Sequence, residues 1–202
     1  MRRFIAGGAV LGAALMLAYP PPQASADASA ASVPAPVQAC AACHGAHGVS
    51  TIPGTPSLAG EPDLYVEWQL VYFRGETRKN AAMQQFARTL SDDDIRDLGA
   101  YYTTLSGAVP PSADKDPAAT EAGAKLAADR HCAQCHMTTF TGQGEVPRLA
   151  GQHEEVLVKA LHDYQHGLRR GRGNVIMPEI AYSLNEDDIH NLAHFMSMQS
   201  GS

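Results

Sequence analysis

The chain is one pattern written twice, and that duplication limits its possible folds more than any other feature. Cys40-Ala41-Ala42-Cys43-His44 recurs as Cys132-Ala133-Gln134-Cys135-His136, an offset of 92. Pro56-Ser57-Leu58-Ala59-Gly60 recurs as Pro147-Arg148-Leu149-Ala150-Gly151 at an offset of 91, and Met83 recurs as Met177 at 94. Leu90-Ser91-Asp92-Asp93-Asp94-Ile95 returns as Leu184-Asn185-Glu186-Asp187-Asp188-Ile189, again at 94. The landmarks keep their order and drift only by the length of small loop insertions, which marks a tandem duplication.

Within each half the periodicity is helical. Ser91 is placed to cap a helix whose first turn holds Asp92, Asp93 and Asp94, carboxylates suited to the positive helix end. Ile95, Leu98, Tyr102 and Leu105 then fall on one face. Asn185 caps the counterpart, with Ile189, Leu192 and Met196 repeating the stripe. Leu64 to Arg74 and Glu154 to His166 read as amphipathic helices ended near Gly75 and Gly167, and Ala118 to Arg130 as another. Strand alternation is lacking, so the expected fold class is all-α, with two tandem domains at 37–106 and 118–200. The connector 107–117 contains Pro110, Pro111 and Pro117, which stiffen it and stop a helix from running through.

The C-x-x-C-H run is the attachment signal of c-type haem. Two cysteines three apart on a helical turn present both sulfurs to one porphyrin edge, and the following histidine can reach the iron. Cys40, Cys43 and His44 would hold one haem, Cys132, Cys135 and His136 the other. A thioredoxin-like dithiol needs a βαβ setting that the pattern lacks. A four-thiolate zinc site would have to bridge 88 residues between Cys43 and Cys132, against about 15–20 in zinc ribbons. Structural disulfides leave the repeated histidines unexplained. Each half has too few residues for a comfortable core of its own, and a buried porphyrin would replace much of what is missing.

Met83 and Met177 occupy matching positions, 39 residues after His44 and 41 after His136, and His/Met ligation is an established c-type arrangement. They are the candidate distal ligands, Met177 delivered by a loop from Asn174. Met137, Met196 and Met198 lack counterparts and read as core filler. His190 and His194, one helical turn apart, read as a solvated face, and His47 and His131 as surface residues. Pro56 and Pro147 follow the proximal histidines at a spacing that lets a backbone carbonyl accept from imidazole Nδ1–H, although ordinary loop prolines answer equally well.

Arg2 and Arg3, an apolar run from Phe4 to Tyr19 and Ala24-Ser25-Ala26 follow the order of a secretory signal, so residues 1–26 are expected to be cleaved. Residues 27–36 then form a flexible lead-in. The formal charge of the whole chain is −6. Without the leader, 13 basic residues face 21 acidic ones. That excess of acids argues against a nucleic-acid partner and for electrostatic encounter with basic protein surfaces.

The two C-x-x-C-H motifs, P-x-L-A-G in both halves, Met83 and Met177, and the L-[SN]-x-x-D-I endings resemble the dihaem cytochrome c4 family over about residues 37–199. The resemblance implies two class I cytochrome c domains, each wrapped round one covalently bound haem with His/Met ligation, and it maps the family's proximal-histidine proline onto Pro56 and Pro147. It also implies two haem c groups in a periplasmic electron carrier of a kind often loosely associated with the membrane. Such a carrier passes electrons from respiratory donors to a terminal oxidase or similar acceptor and has no enzymatic activity of its own. Departures from the family pattern are the short helix before Cys40 and Met137 in place of glycine after His136. A cytochrome subunit of a complex such as flavocytochrome c sulfide dehydrogenase is the alternative. A dihaem enzyme would need an open iron, which methionines at both distal positions oppose.

Overall fold

Aspartates, a serine and two asparagines at helix starts, and apolar residues three and four apart within them, set out nine helices among the described residues. The computed structural model describes residues 33–107, 113–171 and 175–201, all within one compact unit, Ala31–Ser202. The secretory signal and most of the lead-in lie outside the described residues. The helices are α1 (Val37–His44), α2 (Asp63–Arg74), α3 (Ala81–Ala87), α4 (Asp92–Thr104), α5 (Pro117–Asp129), α6 (Ala133–His136), α7 (Glu154–Gln165), α8 (Met177–Tyr182) and α9 (Glu186–Ser197). No strand occurs among the described residues, which hold only isolated bridges such as Arg78 with Arg169. The fold is all-α, as the sequence patterning requires. None of the described helices is long and apolar enough to cross a membrane.

The expected caps form in full. The Ser91 hydroxyl accepts from Asp94 N–H while the Asp94 carboxylate accepts from Ser91 N–H, and Asn185 and Asp188 repeat this reciprocal pair on α9. Each such cap satisfies helix-end donors that would otherwise face water or go unpaired. The stripe behind Ser91 turns inward: Ile95, Leu98 and Tyr102 pack with Val37, Val66 and Leu70 from α1 and α2. Leu105, at the C-cap of α4, packs only against the edge of that core. A second core gathers Ile189, Leu192 and Met196 of α9 with Ala127, Phe140 and Leu157. There α5 crosses α9 at close range, because Gly123 carries no Cβ: one built there would collide with the Asn191 backbone and Phe195.

The two copies differ where the sequence departs from strict repetition. In the first half the whole C-x-x-C-H motif lies on α1. In the second, α5 ends at Asp129, His131 takes a left-handed φ of 56°, and the motif finishes on the separate turn α6. Pro117, expected to close the connector, is instead the first helical residue of α5, where its missing N–H costs nothing, and Asp116 caps that helix. Residues 108–112 of the connector lie outside the described residues. Both motifs close on a residue of positive φ: Gly45 at 85° and Met137 at 68°, ψ 160°. That region is almost exclusive to glycine, and Met137 stands there 40% exposed, so it is not core filler. Met196 is buried and does fill the core.

Candidate functional site

In the first half, α1 turns His44 inward and leaves Cys43 on the surface, with Cys40 half-buried. His44 Nδ1–H donates to the Pro56 carbonyl at 2.7 Å, so ring orientation is fixed and Nε2 is left to point elsewhere. Burial holds the imidazole pKa below its usual value, the Pro56 hydrogen bond offsetting this in part. Met83 lies on the short helix α3, whose N-cap Asn80 accepts from Met83 N–H at 3.0 Å. Cys40, His44, Pro56 and Met83 line a single cleft. Its walls are largely apolar, with Leu70, Phe73 and Leu98 among them.

The second half repeats the proximal geometry. His136 is buried, its Nδ1–H donates to the Pro147 carbonyl at 2.9 Å, and burial again lowers its pKa. Cys132 is half-buried and Cys135 exposed, the same disposition as Cys40 and Cys43. Met177 begins α8, one residue before Pro178. A helix start takes the place of the expected loop, and Asn174 lies outside the described residues. Gln165 ties α8 to α7 by donating to the carbonyls of Ala181 and Leu184, both at 2.9 Å. The first cleft also reaches Pro147 from the second half, whereas His136 and Met177 do not line it.

Several polar residues that the motif reading passed over join the two halves. Ser57 N–H donates to Gln152 Oε1 at 3.0 Å, and Arg148 N–H donates to Glu61 Oε2 at 2.9 Å. Gln152 and Glu61 are the residues that follow P-x-L-A-G in each copy, so the repeat offset itself pairs them. Arg169 matches Arg78 by the same offset. The buried Arg169 Nη2 donates to Tyr65 Oη at 2.6 Å, and its guanidinium lies over the Tyr164 ring. Arg78 Nη1 donates to Gln69 Oε1 at 2.7 Å, and burial together with repulsion from Arg169 lowers its pKa to about 10. Both guanidinium groups line the cleft, and Arg169 Nε is buried with no hydrogen-bond partner. A largely apolar cleft with the Cys40 thiol in its wall and a buried guanidinium whose Nε lacks a partner suits a flat apolar ligand bearing carboxylates, which is the chemistry of a porphyrin.

His194 departs from the solvated face expected of it. It is buried, with Nδ1 2.8 Å from Glu154 Oε2 and Nε2 3.0 Å from Asp114 Oδ1. His190 stays exposed and pairs with Glu154 at 3.1 Å. Periodicity missed this because Asp114 lies 80 residues away on the connector. Burial pulls the His194 pKa down, but hydrogen bonds and attraction from Asp114 and Glu154 outweigh it, and the net shift is upward. A raised imidazole pKa contributes stability that is present below the ordinary value and lost as pH climbs through the folded-state value. Thermal melts across a pH series are therefore expected to show the gap between wild type and His194→Asn narrowing as pH rises through neutrality. A gap that is constant with pH contradicts a charged His194.

The "Cytochrome c" family profile matches residues 120–200, and the profile "Cytochrome C oxidase, cbb3-type, subunit III" matches residues 35–101. The chain is 34% identical to cytochrome c4 of Azotobacter vinelandii, covering 86% of this chain and 89% of that protein. It is 31% identical to the thiosulfate dehydrogenase electron acceptor of Thiomonas intermedia, over 87% and 85% of the two chains. The crystal structure of reduced cytochrome c4 from Pseudomonas stutzeri superposes with a TM-score of 0.73 at 31% identity, covering 81% of this chain and 94% of that one.

Proposed function

Because the chain belongs to the dihaem cytochrome c4 family and is an electron-transfer cytochrome with two haem c groups, we propose that it is a periplasmic carrier whose two irons are each gripped from both sides by protein. Cys40 and Cys43 would hold one haem through thioether bonds and Cys132 and Cys135 the other. His44 and His136 would serve as proximal ligands, Met83 and Met177 as distal ones, and the Pro56 and Pro147 carbonyls would orient the imidazoles. The observation that supports this reading most is the matched pair of Nδ1–H bonds to Pro56 and Pro147, at 2.7 and 2.9 Å. Each fixes the tautomer that leaves Nε2 as an electron-pair donor, and each raises the basicity of its imidazole.

A haem c iron bound in this way takes up and releases one electron between its ferric and ferrous states. With a histidine and a methionine on each iron, the protein would leave no position at which a substrate could coordinate. The apolar cleft walls exclude water, and a thioether ligand keeps each potential higher than a second imidazole would. Arg78 and Arg169 supply positive charge for the porphyrin carboxylates. The excess of acidic residues favours brief, salt-sensitive encounters with basic partner surfaces.

Electrons on this reading pass from respiratory donors to a terminal oxidase or similar acceptor. A second reading places the donor among sulfur-compound dehydrogenases, or makes the chain the cytochrome subunit of such a complex. It is favoured by the similarity to a thiosulfate dehydrogenase electron acceptor. Optical redox titration of the exported protein tests the central claim. It is expected to show two one-electron waves, the weak sulfur-to-iron band at the red end of the oxidised spectrum, and no carbon monoxide adduct on reduction. Carbon monoxide binding at both haems, or absence of the sulfur band, overturns it.

A further inference from the structure

The hydrogen bonds that orient the proximal histidines do not stop at the prolines. The carbonyl of Pro56 and the N–H of Ser57 belong to one peptide group: the first accepts from His44, and the second donates to Gln152. The carbonyl of Pro147 and the N–H of Arg148 form the matching group: the first accepts from His136, and the second donates to Glu61. Each proximal histidine is thus linked, through a single peptide, to a buried side chain of the other half. Glu61 and Gln152 occupy equivalent places in the repeat, and both are buried, at 4% and 7% exposure. One end of this pair of relays is a neutral amide and the other is an ionisable carboxyl.

We propose that Glu61 is a positioning residue for His136, acting through the Pro147–Arg148 peptide to lower the reduction potential of the second half's iron when it is charged, and to do so more strongly there than at the first half's iron, which the carboxylate reaches only through space from the cleft wall. The proposal rests on His136 being an iron ligand. A carboxylate accepting from Arg148 N–H polarises the peptide and makes the Pro147 oxygen a stronger acceptor, an effect enlarged by the low local dielectric. The imidazole becomes a stronger donor and the oxidised iron is favoured. Protonating Glu61 reverses this. Gln152 has no charge to lose, so His44 feels a constant partner.

The surroundings of Glu61 set where it titrates. The facing charges are Arg148 on the second half's loop before α7, Arg78 beyond α2 and Arg169 beyond α7. Burial pushes the carboxyl up to about 8, against the lowering from the Arg148 backbone bond and the three guanidinium charges. Linkage then requires that reduction favour protonation as strongly as protonation favours reduction. In the range between the oxidised-state and reduced-state values, one electron arrives from the donor protein with up to one proton from solvent, which binds the Glu61 carboxylate. Both leave on reoxidation.

Optical redox titrations of the holoprotein from about pH 5 to about pH 10 span the charge change of Glu61. In wild type one potential is expected to fall with rising pH, by at most tenfold in the reduction equilibrium per pH unit, about 59 mV for one electron. The other is expected to fall with a clearly smaller slope. The moving wave is assigned to the second half if it is the one displaced in a Met177→His variant. Glu61→Gln, which installs the side chain that already serves at position 152, is expected to hold that potential at its low-pH limit throughout. Infrared difference spectra of the wild type, reduced minus oxidised, are expected to show a protonated carboxyl band gained on reduction near the titration range. Persistence of the slope in Glu61→Gln, an equal slope at both haems, or no redox-linked carboxyl band overturns the proposal. A His136→Ala variant that keeps both wild-type potentials and the wild-type spectrum would instead overturn the ligand assignment on which it rests.

Discussion

A variant with Cys40, Cys43, Cys132 and Cys135 all changed to Ala is expected to lose cooperative unfolding, not merely to melt a few degrees lower. The reason lies in how little protein encloses each cleft. The first core rests on six buried apolar residues, Val37, Val66, Leu70, Ile95, Leu98 and Tyr102, and domains of this size are marginal on protein core alone. Leu70, Phe73 and Leu98 are buried yet also line the cleft, so a porphyrin seated there would complete the packing around them. The covalent anchors keep the ligand in place when the fold opens, and cutting them removes most of a margin of about 5–15 kcal/mol. Calorimetry and near-ultraviolet circular dichroism of the variant provide the check. A sharp transition with wild-type enthalpy would show that the protein core suffices.

Met177→His is expected to lower one of the two potentials by on the order of a hundred millivolts, within the roughly 0.8 V that axial ligation spans. About half of the sulfur-to-iron absorbance should vanish with it, since Met83 is untouched. Imidazole donates more strongly than thioether and stabilises the oxidised iron. Met177 opens α8 directly before Pro178, and Gln165 pins the other end of that helix. The substituted side chain therefore starts from a fixed point on the backbone. Unchanged spectra and potentials would remove Met177 from the ligand set.

The caps and stripes of α4 and α9 were legible because every residue that makes them lies within one or two helical turns. Ser91 with Asp94, and Ile95 with Leu98 and Tyr102, can be read without knowing what lies opposite. The same holds for the two C-x-x-C-H motifs and the family resemblance they carry. What could not be read depends on residues about 80 to 105 positions apart. Ser57 meeting Gln152, Arg169 meeting Tyr65 and His194 meeting Asp114 are polar contacts, and polar residues leave no periodic trace. His194 looked solvated because its own helix gives no hint of the connector that covers it. Met177 looked like a loop residue because the proline after it suggests a break, whereas proline is welcome in a first helical turn. The repeat offset did hold one unread clue: it places Glu61 opposite Gln152 and Arg78 opposite Arg169.

Met137 shows where the two copies part company. Its backbone sits about 1–3 kcal/mol uphill of a relaxed one, and its side chain is only partly buried in return. The bend survives because His136 before it and Phe140 after it are both buried, with Phe140 N–H closing back on the Met137 carbonyl at 3.1 Å. The second copy therefore carries a strained corner of a few residues beside the attachment point, with His131, Met137 and Phe140 all at positive φ. Heat or denaturant that loosens Phe140 releases that strain, so this copy should come apart from its attachment corner while its long capped helices still hold.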